Sequence, residues 1–425
     1  MTSNNKGFVK ENFLFNYAMF IFDSIGFGAA FALLIPGSYP PDVALAISNR
    51  WYAASLIVII FYAVGILGQI ITSSNREVEQ DSKRGVIFWG VIERLGFVLI
   101  FIVLKFFPDN AFSFELFMIS YAVFVFSAGA ILPSYFDLVS RVLYKYRSIF
   151  FSINLTTGSA SGYLVSRYVD SQIKNKGLVE GYLEGLILVI IITTVSLIPL
   201  ILIKEPKSEI RSKSKIKIKL IKQKLISWAS IVTKNKELRI VSITNFLSSV
   251  PESITPFFSI WLIIYYEIPS YKIGFWVTSL LLSQSVGSFF VPIIGRKFGF
   301  KYTYILGLFM HFIASVLFLI DGSGYQDIIF IFAGLGLGIF STSQSNIAVE
   351  LGEVGDAGNT NAMLFTFRIP IFIISPLIVA YFTTFENLSI VLVSSIFSAL
   401  AGIVIILLKL NNSIYPQIRF WSKDS

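Results

Sequence analysis

The chain has no cysteine and a single histidine, His311. Disulfides, iron–sulfur clusters and thiolate zinc sites are therefore excluded, and a histidine-built metal centre lacks ligands. Charge is scarce too: Asp, Glu, Lys and Arg make up 14% of the 425 residues. A soluble domain carries about 25% charged residues. No Gly-x-x-x-x-Gly-Lys-Ser/Thr segment occurs, so no phosphate-cradling loop is present for direct ATP drive.

What is abundant is apolar. Hydrophobic residues make up 55% of the chain, and the mean hydropathy is +0.75. These residues fall in runs of about 20, the length a helix needs to cross about 30 Å of hydrocarbon. A membrane β-barrel would instead show alternating segments of about 10 residues. Twelve spans are expected, at 13–36, 51–73, 86–105, 112–134, 149–168, 181–203, 239–265, 273–294, 302–320, 327–349, 360–383 and 388–409. The first run leads to no evident cleavage site and is read as a retained helix. The fifth carries Asn154, Thr156, Thr157, Ser159 and Ser161, so it belongs inside a bundle, where hydroxyls and amides find partners. Trp51, Tyr52, Tyr271, Trp276 and Tyr302 stand near span ends and read as interface anchors.

Lys204 to Arg239 is the most basic stretch, and Lys213-Ser-Lys-Ile-Lys-Ile-Lys-Leu-Ile-Lys-Gln-Lys224 within it mixes basic and aliphatic residues. It reads as a cytoplasmic linker that fixes topology; lying on an anionic membrane surface is the alternative. With both termini in the cytoplasm, the opposite side carries only Arg50, Lys105, Arg167, Lys174, Lys176 and Lys272, as the positive-inside bias requires. The basic surplus therefore reflects topology, not nucleic-acid binding.

The halves echo one another. Asn16-Tyr-Ala-Met-Phe-Ile-Phe-Asp23-Ser24-Ile25 aligns without a gap with Asn245-Phe-Leu-Ser-Ser-Val-Pro-Glu252-Ser253-Ile254. Parallel duplicated six-helix halves are a recurrent transporter plan, with the substrate site between them near the midplane. This organisation resembles the major facilitator superfamily. The resemblance extends to Pro292-Ile-Ile-Gly295-Arg296-Lys297-Phe298-Gly299-Phe300-Lys301, which is similar to that family's Gly-x-x-x-Asp-Arg-x-Gly-Arg-Lys loop, with Arg296 at the acidic position. It implies an all-α polytopic membrane protein with twelve transmembrane helices in two six-helix bundles. The expected divisions are 1–203, a basic linker at 204–238, and 239–425 for the second bundle and a short tail. It also implies a gating latch at Arg296, Lys297 and Gly299. Gly158-Ser-Ala-Ser-Gly162 reads as close helix packing.

Ionisable groups inside a membrane helix cost about 2.5–3.5 kcal/mol on insertion scales, so each needs a reason. Asp23 and its repeat mate Glu252, with Arg368, are the expected substrate- and proton-coupling residues. Glu252 or Asp23 is the expected partner of Arg368. Pro251, Pro256, Pro370 and Pro376 should kink their helices. Asn16, Asn245, Asn154, Gln284 and Gln344 are further candidate cavity groups, while Glu93 and Arg94 read as structural and His311 as packed.

The expected function is secondary active transport of a small solute by alternating access, coupled to protons, by a monomer in the cell membrane. No cofactor is expected, nor any partner beyond the substrate, protons and lipids. The alternatives are a non-transporting helper or sensor with a transporter fold, and a membrane-embedded lipid-modifying enzyme. The enzyme would need clustered acids or metal ligands near an interface.

Overall fold

A computed structural model describes residues 3–48, 50, 52–74, 82–108, 112–143, 147–206, 218–269, 272–351, 357–382 and 385–410. The fold is all-helical, with no strand among the described residues. Among the described residues, eleven helices are long and apolar enough to cross a membrane. They are α1 (Phe13–Leu34), α2 (Ala53–Ser74), α3 (Ser82–Phe106), α4 (Ser113–Val142), α6 (Leu178–Leu202), α7 (Lys236–Tyr265), α8 (Ile273–Phe298), α9 (Phe300–Asp321), α10 (Gln326–Ala348), α11 (Asn359–Tyr381) and α12 (Asn387–Lys409). The twelfth long helix, α5 (Arg147–Lys176), is long enough but too polar to qualify by composition. It packs against α1, α6 and α8. Its polar side chains find carbonyls there: Asn154 Nδ2 donates to Phe20 O at 3.3 Å, Ser161 Oγ to Ile25 O at 2.8 Å, and Thr156 Oγ1 to Ser285 O at 3.4 Å. Small residues let α1 and α5 touch, because a Cβ on Gly28 would collide with the backbone of Gly158.

Two spans break where prolines demand it. In α7 the helix stops at Ile254 and resumes at Phe257, around Pro251 and Pro256. In α11 it stops at Thr366 and resumes at Ile369, just before Pro370. Proline withdraws an N–H and crowds the carbonyl four residues earlier.

Polar seams mark the two ends of the bundle. At the end where α1 begins, Glu205 accepts from the backbone N–H groups of Ser82 (3.2 Å) and Lys83 (3.0 Å) at the start of α3, and pairs with Arg141 at 3.5 Å. At the far end, Arg50 pairs with Glu115 at 2.8 Å and Lys105 with Glu180 at 3.5 Å. Gly177 (φ 86°) turns α5 into α6 with a single residue.

Among the described residues, three short helices are additions to the expected plan, the first being Ser3–Glu11 before α1. Pro40–Ser48 caps the far end between α1 and α2. Burial pushes the carboxyl of Asp42 on this helix up from about 3.8 to about 7. In the linker, Ile218–Lys234 packs on α2 and α7. Its Trp228 is buried and donates from Nε1 to Asn359 Oδ1 of α11 at 3.1 Å. Residues 207–217 of the basic stretch lie outside the described residues. Trp276, expected at an interface, is instead fully buried and stacks on Phe330 at 5.3 Å. Trp51 and Tyr271 lie outside the described residues.

Candidate functional site

The halves meet along α5–α8, α2–α11 and α4–α11. Between α5 and α8, Ser166 Oγ and Thr278 Oγ1 lie 3.1 Å apart. Between α2 and α11, the rings of Tyr62 and Phe372 stack at 3.8 Å. Tyr62 sits in the one π-helical turn of α2, Ile60–Val64. Such turns re-aim side chains and recur at functional sites.

A cavity of about 300 Å³ opens between the two halves beside these contacts. Its walls come from α1, α3, α4, α5 and α6 of the first half and α8, α10 and α11 of the second. Val86, Phe151 and Asn361 line it from the first turns of α3, α5 and α11, and Leu200 from the last turn of α6. The cavity therefore lies toward the end of the bundle where α1 begins.

Three of the expected groups reach this cavity: Asp23, Asn154 and Gln284. Asp23 sits 10 residues into α1, about 15 Å along its axis. Asn154 also donates to Tyr135 Oη at 3.1 Å, which orients that phenol on the wall.

Three of the expected cavity amides serve elsewhere. Asn16 clasps the backbone of Lys204, donating to its carbonyl at 2.9 Å and accepting from its N–H at 2.8 Å, and so ties the start of α1 to the exit of α6. Asn245 is fully buried and accepts from the Tyr304 hydroxyl of α9. Gln344 is turned to Arg368, whose Nη1 donates to its Oε1 at 3.4 Å. In each, an amide oxygen or nitrogen is held by a group of its own half and not by the cavity.

Arg368 sits at the break in α11 with 1% of its side chain exposed. Its partner is Glu252, through Nη2 and the carboxylate. Nε donates to Ser249 Oγ at 2.8 Å. Phe372, Phe365 and Phe340 surround the guanidinium with centroids at 4.8, 5.1 and 5.4 Å. Glu252 and Arg368 thus form a closed pair between α7 and α11 and are absent from the cavity wall. The repeat mates Asp23 and Glu252 have diverged, one facing a cavity and one neutralised.

Sequence reasoning set Glu93 and Arg94 aside as structural, yet both line the cavity. They pair with each other at 3.2 Å. Arg94 also donates from Nε to Thr193 O and from Nη1 to Gly90 O, each at 2.7 Å, and from Nη2 to Ser196 Oγ at 3.2 Å. The signal was present as an acid–base dipeptide in a membrane span; which way α3 faced was not. Asn361 on the wall was missed as well, being an ordinary polar residue near a span end.

The expected latch is different in kind. Arg296 and Lys297 are exposed, and neither forms an ion pair among the described residues. Gly299 (φ 91°, ψ 156°) makes the tight turn from α8 to α9, a left-handed-side conformation that favours glycine. The anchoring residue of that segment is Lys301, buried, with Nζ donating to the carbonyls of Leu407 (3.1 Å) and Leu410 (2.7 Å) at the end of α12. The companion loop at 75–81 lies outside the described residues. His311 is buried with neither ring nitrogen hydrogen-bonded among the described residues. No group of metal-ligating side chains occurs among the described residues.

Among the described residues, twelve membrane-length helices in two halves around a cavity make up the major facilitator fold. Solved structures of this fold match over nearly the whole chain. A nucleoside transporter, NupG, superposes with a TM-score of 0.66 at 10% identity, covering 93% of this chain and all of its own. A major facilitator transporter, FucP, in the outward conformation gives 0.64 at 11%, covering 94% and 98%. A bacterial homologue of the iron transporter ferroportin, outward-facing with soaked iron, gives 0.63 at 12%, covering 93% and 98%. No protein-family model and no curated protein sequence matches the chain.

Proposed function

We propose that this protein is a secondary active transporter of a small solute that works by alternating access and is coupled to protons. The observation that carries the reading is the Asp23 carboxylate on the wall of a cavity built from helices of both halves. An intramembrane acid is costly unless it serves an ion or substrate path. The transporters that share this fold support the reading. Residues 1–203 and 239–425 are the two bodies that rock about the cavity, and 204–238 is the linker between them. With both termini cytoplasmic in the cell membrane, this state has its cavity toward the cytoplasm. In this reading Asp23 binds and releases the proton, and the Glu252–Arg368 pair reports the state of α7 and α11, the two broken helices, to the cavity. The protein acts as a lipid-embedded monomer and not as an enzyme.

The test is proton flux in proteoliposomes with a trapped pH dye, across a panel of cations, organic anions and sugars. Parent protein is compared with Asp23→Asn and Glu252→Gln. Substrate-dependent flux lost in Asp23→Asn, in correctly folded protein, is the expected result. Flux unchanged in both variants refutes the coupling role, and flux of no compound favours a non-transporting relative.

A further inference from the structure

The cavity wall carries two carboxyl groups against one guanidinium. Three charged side chains line it: Asp23, Glu93 and Arg94. Arg94 is matched by Glu93 at 3.2 Å, and its remaining donors are held by Thr193, Gly90 and Ser196. Asp23 accepts no hydrogen bond and makes no ion pair among the described residues. One carboxylate is therefore left facing the space.

A second, independent observation concerns the part of the wall that the second half supplies. Gln284 Oε1, Thr342 Oγ1 and Asn361 Oδ1 are buried and have no hydrogen-bond partner among the described residues. All three residues line this cavity, on α8, α10 and α11, and each is more than nine-tenths buried. Buried polar atoms are almost always satisfied in native proteins. These three oxygens lie just behind the accessible surface of the cavity, and a side-chain rotation turns them toward a ligand. The amide oxygens of Gln284 and Asn361 accept from N–H or O–H donors, while the Thr342 hydroxyl both donates and accepts. The rings of Phe31, Tyr135 and Phe365 also line the cavity; they suit an apolar or aromatic body and favour a cation over their faces.

From this juxtaposition we infer that the cavity selects a monovalent organic cation: an ammonium group at Asp23, an apolar or aromatic body, and a further N–H or O–H donor for Gln284, Thr342 and Asn361. An organic anion would meet the Asp23 carboxylate and two amide oxygens. A neutral sugar brings no cation to replace the proton that Asp23 carries. The assignment rests on the transporter reading only for its consequence, movement; the binding preference is independent of it.

The experiment measures binding to purified protein in nanodiscs by calorimetry. The probes are tyramine and phenethylamine, each beside the carboxylate and the alcohol that share its ring and chain, and flux of every probe is followed in proteoliposomes. The amines should bind saturably and at least about tenfold more tightly than their matched carboxylates and alcohols. Asp23→Asn should remove that preference, and Asp23→Glu should restore part of it. Gln284→Leu should weaken tyramine, which carries a second donor, more than phenethylamine. Should Asp23→Asn fail to fold, the matched probes on the parent protein still decide. Carboxylates or alcohols binding as well as the amines, or no saturable binding of either amine below the millimolar range, overturns the assignment. Amine binding without flux would spare the cation site and refute transport. Flux of a carboxylate or alcohol with no amine preference would do the reverse.

Discussion

Arg368 is held by one carboxylate, one hydroxyl, one amide and three aromatic faces, with almost no exposure. Removing one member of such a pair strands the other charge. Glu252→Gln should therefore cost about 3–5 kcal/mol of stability, seen as a lower melting temperature in detergent. The double variant Glu252→Leu/Arg368→Met should recover much of that loss, since well-packed apolar pairs often replace a buried ion pair. Recovery of stability without transport would separate a functional from a structural pair. The residue types at this site were legible in the sequence, and so was the need of Arg368 for an acid. The choice of Glu252 over Asp23 was not, because it depends on the rotation of α7 and α11 about their proline breaks.

At the scale of elements, the broken helices and the capped ends dominate. Glu205 satisfies two backbone N–H groups at the start of α3 and meets Arg141 besides. Glu205→Ala should cost about 0.5–2 kcal/mol, the range for a lost helix cap, read as a fall in melting temperature. The cap helix Pro40–Ser48 carries a pH dependence through Asp42. Its folded-state pKa, about 7, lies above its ordinary 3.8 because burial disfavours the charged form. The stability contributed by the protonated carboxyl is complete below about pH 4 and is lost as pH rises through 7. Asp42→Asn should thus raise the melting temperature relative to the parent at pH 8 and lose that advantage toward pH 4, followed by intrinsic fluorescence. Hydropathy located the spans well but gave no warning of the Pro40–Ser48 helix, which is short and packs by tertiary contact. It also underrated α5, whose polarity becomes explicable only when α1 and α8 supply the acceptors.

For the whole molecule, the decisive feature is that the halves touch through α5–α8, α2–α11 and α4–α11 while a cavity opens beside those contacts. Because the chain lacks cysteine, introduced pairs report cleanly. Ser166→Cys with Thr278→Cys joins positions whose hydroxyls are 3.1 Å apart at the far side of the cavity. Oxidation should crosslink the pair and stop flux, with reduction restoring it. Flux that continues through the crosslinked protein would refute rocking about this seam.

The sequence by itself determined that the chain is a polytopic helical membrane protein, where its spans fall, and that a few intramembrane charges need partners. Those properties follow from consecutive residues, since the bilayer tests each segment for length and hydropathy one at a time. Only the tertiary structure decided which partners meet. Asn154 faces the cavity while Asn16 and Asn245 do not, and Asp23 stays open while its repeat mate is closed by Arg368. The face each helix turns to its neighbours is set by packing between residues far apart in the chain, and no local pattern encodes it.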